Sequence, residues 1–137
     1  MKVKVIVNTN RIIAALIKDS VSRKIIYHGT VEMLGINFSL KEIEKYGAYI
    51  IKKAGITEQE FEKILQAICD KIIFINDSLV DIFIEEGKEL MSSIDPDDVP
   101  FIAAALATGA DIWSDDPHFT RQNKIKVWKT AELAKLL

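Results

Sequence analysis

Carboxylates and carboxamides recur where apolar runs stop. Asn8-Thr9-Asn10 follows Val5-Ile6-Val7, Asp95-Pro96-Asp97-Asp98 precedes an alanine-rich run, and Ser114-Asp115-Asp116 follows Ile112-Trp113. Glu42 and Glu44 stand between them in the chain. Oxygen ligands gathered from distant segments hold hard cations such as Mg²⁺ or Mn²⁺. Without a cation, carboxylates brought to one place repel one another. Each residue also has a simpler use. Asp95 and Asp116, each ahead of a proline, are good helix caps, Asp97 and Asp98 suit a helix dipole, and Asn8 or Asn10 can cap the first helix. A shared site therefore depends on joint placement, which the surrounding elements decide.

Those elements alternate. Residues 2–7, 72–75, 111–114 and 125–127 read as strands, and 31–37 as a short extended stretch. Ile12, Ile13, Leu16 and Ile17 give a first helix its apolar face, and Ser20 caps a second that ends at Gly29. Ser39 is expected to cap a helix carrying Ile43, Gly47 and Ile50, and Thr57 to Glu60 form a capping box. Residues 78–91 predict another helix, Asp95-Pro96 starts one that closes at Gly109, and Thr130 caps the last. Strands alternating with helices predict an α/β fold with a mostly parallel central sheet. Ligands of open parallel sheets bind beyond the carboxyl ends of the strands. Asn8 lies at such an end, Asp116 lies just past another, and Asp98 heads the helix between, so the three are expected to converge.

Composition narrows the partners. A chain of 137 residues fits one domain, spanning 1–137, with an ordinary globular balance of 49% hydrophobic and 28% charged residues. A net charge of -2 excludes a strongly basic nucleic-acid module, while basic flanks around an acidic centre remain compatible with it. The single cysteine, Cys69, has no internal disulfide partner, which fits a cytoplasmic location. No apolar run reaches the roughly 20 residues of a membrane span, and the N-terminus alternates as a strand rather than as a signal peptide.

Arg11, Lys18, Arg23 and Lys24, with Arg121, Lys124 and Lys126 after Asp116, could form a phosphate-binding track. Scattered solvated cations explain them equally well. His28 abuts Gly29 as a helix terminus would, and His118 stands two residues beyond Asp116, within reach of the site. Their spacing does not make a histidine metal pair. Trp113 and Cys69 read as core.

These motifs resemble the PIN domain, a small α/β nuclease family, over essentially the whole chain. The family opens on a strand ending in Asp-Thr-Asn, where this chain has Asn8-Thr9-Asn10. Ser39-Leu40-Lys41-Glu42-Ile43-Glu44 fits its helical glutamate, with Glu42 in the better register. Asp95 to Leu106 fits its aspartate at the head of an alanine-rich helix, with Asp98 in that role. Trp113-Ser114-Asp115-Asp116-Pro117-His118-Phe119 fits its last motif, with Asp116 as the acid. The resemblance implies a three-layer sandwich and metal-dependent hydrolysis of RNA. Asn8, Glu42, Asp98 and Asp116 would be the catalytic and metal residues, and Mg²⁺ or Mn²⁺ the cofactor. Ser114 and Asn10 would support them by hydrogen bonds, with Asp95 and Asp97 as neighbours or substitutes. The resemblance also implies partners: an RNA substrate, an antitoxin-like protein, and a second copy in a homodimer or higher homo-oligomer. Asn8 departs from the pattern, because an amide ligates without charge. Three accounts fit it: a weakened nuclease, an inactive module that binds RNA or a protein, and a deliberately introduced replacement.

Overall fold

The computed structural model describes residues 2–137. β1 (Lys4–Val7), β2 (Glu32–Ile36), β3 (Ile72–Ile75), β4 (Asp111–Trp113) and β5 (Val127–Trp128) form one parallel sheet in the order β3-β2-β1-β4-β5. At its centre Ile6 pairs with Leu34 on one side and Ile112 on the other. Val5, Ile6 and Val7 are all fully buried, as a strand covered on both faces requires. Alternation sends Val5 and Val7 to one core and Ile6 to the other.

Helices supply the outer layers. α1 (Thr9–Ile17), α2 (Val21–His28), α3 (Asn37–Lys45), α4 (Gly47–Ala54), α5 (Glu58–Cys69) and α9 (Thr130–Ala134) bury residues with Val5 and Val7. α6 (Asp77–Ile82), α7 (Ile84–Met91) and α8 (Val99–Thr108) bury residues with Ile6. The result is the expected three-layer α/β sandwich around a parallel sheet. No helix among the described residues is long and apolar enough to cross a membrane.

Several local expectations change. The helix expected from Ser39 through Ile50 is two, α3 and α4, broken at Tyr46, and the one over 78–91 breaks at Phe83. Both breaks leave the residue near φ -100° and ψ 8°, off the helical basin (φ -98°, ψ 9° and φ -105°, ψ 7°). The apolar spacing continues across each break, so the pattern cannot reveal it. Ser39 is no cap: α3 starts directly after β2, and Ser39 is buried inside it. A 3₁₀ turn, Pro96–Asp98, precedes α8, so that helix begins at Val99. The last strand begins at Val127 because the Gln122 amide already pairs both the N–H and the C=O of Ile125. Lys129, not Thr130, occupies the final cap position.

α8 is held in place by close approach. Gly87 of α7 lies against its backbone; a Cβ there would meet the Val99 carbonyl oxygen at 3.2 Å and the Ala103 nitrogen at 3.4 Å. Any longer side chain must push α8, and with it Asp98, away from α7. Gly87→Leu is expected to cost about 1–3 kcal/mol of stability by overpacking. Urea unfolding monitored by circular dichroism checks this; an unchanged midpoint would contradict the packing.

Candidate metal centre at the switch point of the sheet

The order of the strands reverses at β1: β2 and β3 lie to one side, β4 and β5 to the other. The cleft beyond the carboxyl ends of β1 and β4 is therefore the switch point, where such sheets place ligands. The Asn8 N–H donates to the Trp113 carbonyl at 3.1 Å, which draws the two strand ends together.

Asn8 is the N-cap of α1 and is only 5% exposed. Its Oδ1 accepts the Asn10 N–H at 2.9 Å. The capping expectation is met at the same position that the site expectation uses. Next to it, Thr9 connects the cleft to α3. The Thr9 hydroxyl donates to Glu42 Oε1 at 2.6 Å and lies 2.8 Å from Ser39 Oγ. With its proton given to Glu42, Thr9 must accept from Ser39. Ser39, buried and uncapping, thus fixes the hydroxyl that fixes Glu42.

Asp98 comes from the opposite layer, at the head of α8. It is 8% exposed, and its Oδ2 is buried without a hydrogen-bond partner, alone in this among the described residues. Burial raises its pKa to about 7, the charges of Asp95, Asp116 and Asp97 push the same way, and His118 opposes them. One ligand atom each from Asp95, Asp98 and His118 lie within 4.8 Å of one another. Asp95 Oδ1 accepts from the Asp97 N–H at 3.0 Å while Oδ2 lies 3.1 Å from His118 Nδ1. Asp116 borders this group. Its Oδ1 accepts the His118 N–H at 2.9 Å and lies 3.5 Å from Nδ1, and its own N–H donates to Ser114 Oγ at 3.0 Å.

A divalent cation suits this donor set. An unpartnered buried oxygen and the surrounding carboxylates each favour a positive charge in the cleft. Asp98 and Asp116 are near enough for the charge of Asp116 to help raise the Asp98 pKa. Glu42 reaches the β1 end through Thr9, outside the tight group. Asp95, expected as a neighbour or substitute, and His118, expected within reach of the site, both stand with Asp98 in that group. Their contact with each other is something residue spacing cannot show, and His28 pairs instead with Thr30.

Asp115 is tied down. Its carboxylate takes the Thr130 N–H at 2.8 Å, the Thr130 hydroxyl at 2.7 Å and Arg11 Nη1 at 2.9 Å. Burial raises its pKa, but the Thr130 hydrogen bonds and Arg11 outweigh that, and the net shift is downward. Trp113 Nε1 donates to the same hydroxyl at 3.0 Å. Arg11 is thus bound into the scaffold. Of the other expected cations, Arg23 bonds the Ala15 carbonyl, Lys124 pairs with Glu86, and Lys126 stacks over Trp128 at 4.0 Å. Lys18 and Lys24, with Arg11, line an open cavity of about 620 Å³ beside α1 and α2. Burial pushes the Cys69 thiol pKa up, which leaves it a poor nucleophile.

A family model described as the PIN domain matches residues 6–137. No curated protein matches the chain.

Two predictions follow from the protonation of these groups. Metal-free, the folded chain keeps Asp98 protonated up to about pH 7, whereas the unfolded chain releases that proton near 3.8. The folded state therefore binds more protons in this window, and stability must fall as pH rises through it. Asp98→Asn is expected to remove that slope and to stabilise the metal-free chain at pH 8 by roughly 1–3 kcal/mol. Urea unfolding in chelator across pH measures it; a variant no more stable at pH 8 would contradict the buried-charge account. Asp115→Ala should instead lose about 1–2 kcal/mol, discounted for partial exposure, while divalent-ion affinity stays within a few-fold.

Proposed function

Because the chain belongs to the PIN domain family, we propose that it is a metal-dependent ribonuclease hydrolysing phosphodiester bonds of RNA at the switch-point cleft. PIN domains are nuclease-type folds that generally depend on a divalent metal. The observation that carries the reading is Asp98, whose buried, unpartnered oxygen stands among Asp95, Asp116 and His118.

On this reading Asp98 and Asp116 hold Mg²⁺ or Mn²⁺, Asn8 offers a neutral amide oxygen, and Glu42 assists through water. Bound there, the cation would lower the pKa of an attacking water and offset charge gathering on the phosphate. The protein supplies the positioning. His118 N–H and Ser114 Oγ hold Asp116 from both its side chain and its backbone. Thr9 and Ser39 hold Glu42. Hydrolysis joins the water oxygen to phosphorus, breaks the bond to the leaving oxygen and returns a proton to it. On this reading Lys18 and Lys24, which line the open cavity beside α1 and α2, hold flanking phosphates, since Arg11 is committed to Asp115.

Compared with an aspartate at this position, Asn8 removes one negative charge from the site while keeping a side chain of almost the same size. Asn8→Asp keeps the oxygen that caps α1 and adds a negative charge. It is expected to tighten Mn²⁺ binding by about tenfold and to raise cleavage of single-stranded RNA by at least as much. Gel assays with Mn²⁺ on both chains decide the matter. Cleavage in neither, with Mn²⁺ bound, would overturn the enzyme and leave a non-catalytic module that binds RNA or a protein. Separately, Lys18→Glu with Lys24→Glu should weaken RNA binding and flatten its salt dependence; unchanged binding would remove this face from the substrate path.

A further inference from the structure

The tightest donor group in the cleft differs from the motif residues. It contains a histidine and Asp95 beside Asp98. We propose that His118 is a direct ligand of the divalent ion at this site, with Asp95 beside it, and that the imidazole makes the site prefer Mn²⁺ to Mg²⁺. The inference rests on the ribonuclease reading for the presence of an ion and goes beyond it in assigning the ligands and the metal.

Three observations carry it. A ring nitrogen of His118 lies within 4.8 Å of ligand oxygens from both Asp95 and Asp98, close enough for one ion to touch all three. Asp98, 8% exposed, brings to this group a carboxylate with a buried oxygen that no protein donor satisfies. The His118 ring is also both anchored and reachable. Its backbone N–H is held by Asp116, the next residue, Phe119, is fully buried, and the side chain is 44% exposed.

Charge and ligand chemistry point the same way. With a neutral amide at Asn8, Asp95 restores the third carboxylate near the ion. Its Oδ2 already faces the His118 ring. Both ions favour oxygen ligands, but Mg²⁺ retains its waters, whereas the larger and softer Mn²⁺ gives up water for an imidazole nitrogen at less cost. A histidine in the coordination sphere therefore favours Mn²⁺ over Mg²⁺. If His118 served only as an ion-pair partner of the acids, it would bring no such preference.

The test uses the intact chain loaded with Mn²⁺. Electron spin-echo envelope modulation is expected to show a directly coupled nitrogen, and ¹⁵N-histidine labelling to shift that coupling. Electron paramagnetic resonance titration, with Mg²⁺ as competitor, gives the two affinities. His118→Gln is expected to lose the coupling and to weaken Mn²⁺ by about tenfold or more, with Mg²⁺ changed by less than about threefold. Mn²⁺ bound without nitrogen coupling, or both ions weakened equally, would overturn the ligand assignment and leave the ribonuclease reading standing. Binding of neither ion, in this chain and in Asn8→Asp alike, would overturn both. The spectroscopic arm needs no variant, so a folding defect in His118→Gln cannot obscure the answer.

Discussion

A carboxylate driven into the protein without a donor to meet it is the constraint around which this molecule is arranged. Asp98 heads α8, a helix in which Phe101, Ile102 and Ala103 to Ala105 are buried in the core shared with the sheet and α7. Packing of that apolar helix fixes where its first turn lies, and Asp98 goes with it. Gly87 permits the approach. The free energy gained by burying α8 thus holds a charged group where solvent would otherwise draw it out. Burial and the neighbouring acids raise the pKa of Asp98 toward neutrality, so the metal-free site is strained electrostatically rather than in its backbone. A cation relieves that strain directly.

Neighbouring residues divide the remaining work. Asp115 and Asp116 differ by one position and face different tasks. Asp115 joins Arg11, Thr130 and Trp113 in a network that ties α1, β4 and α9 together. Asp116 is held by Ser114 and the His118 backbone at the edge of the cleft. The network explains why Arg11, so close to the cleft, is spent on structure. It also ties the end of β4 to α1 and α9, support that a site assembled from two layers requires.

Asn8 caps α1 at the carboxyl end of β1, the position the sequence reading gave to the site. Its amide oxygen satisfies the first turn of α1 whether or not an ion is near. Loss of the negative charge is therefore silent in the fold and felt only in the electrostatics of the cleft. Asp95 follows the same logic in reverse, with one oxygen capping the turn that leads into α8 and the other turned to His118.

Much was legible in the chain itself. Alternating apolar strands and helices set the α/β class, and the expectation that Asn8, Asp98 and Asp116 face one cleft came from the rule that parallel sheets bind ligands at strand ends. Periodicity, caps and local turn chemistry are properties of neighbouring residues, so a sequence records them. The helix breaks at Tyr46 and Phe83, the burial of Ser39 behind Thr9, and the binding of Asp115 to Thr130 are not recorded there. Nor is the meeting of Asp95 with His118, separated by more than 20 residues. Each of these depends on which side chains two distant segments present to each other once the layers close. That contact geometry arises from packing in three dimensions, and only the folded structure decides it.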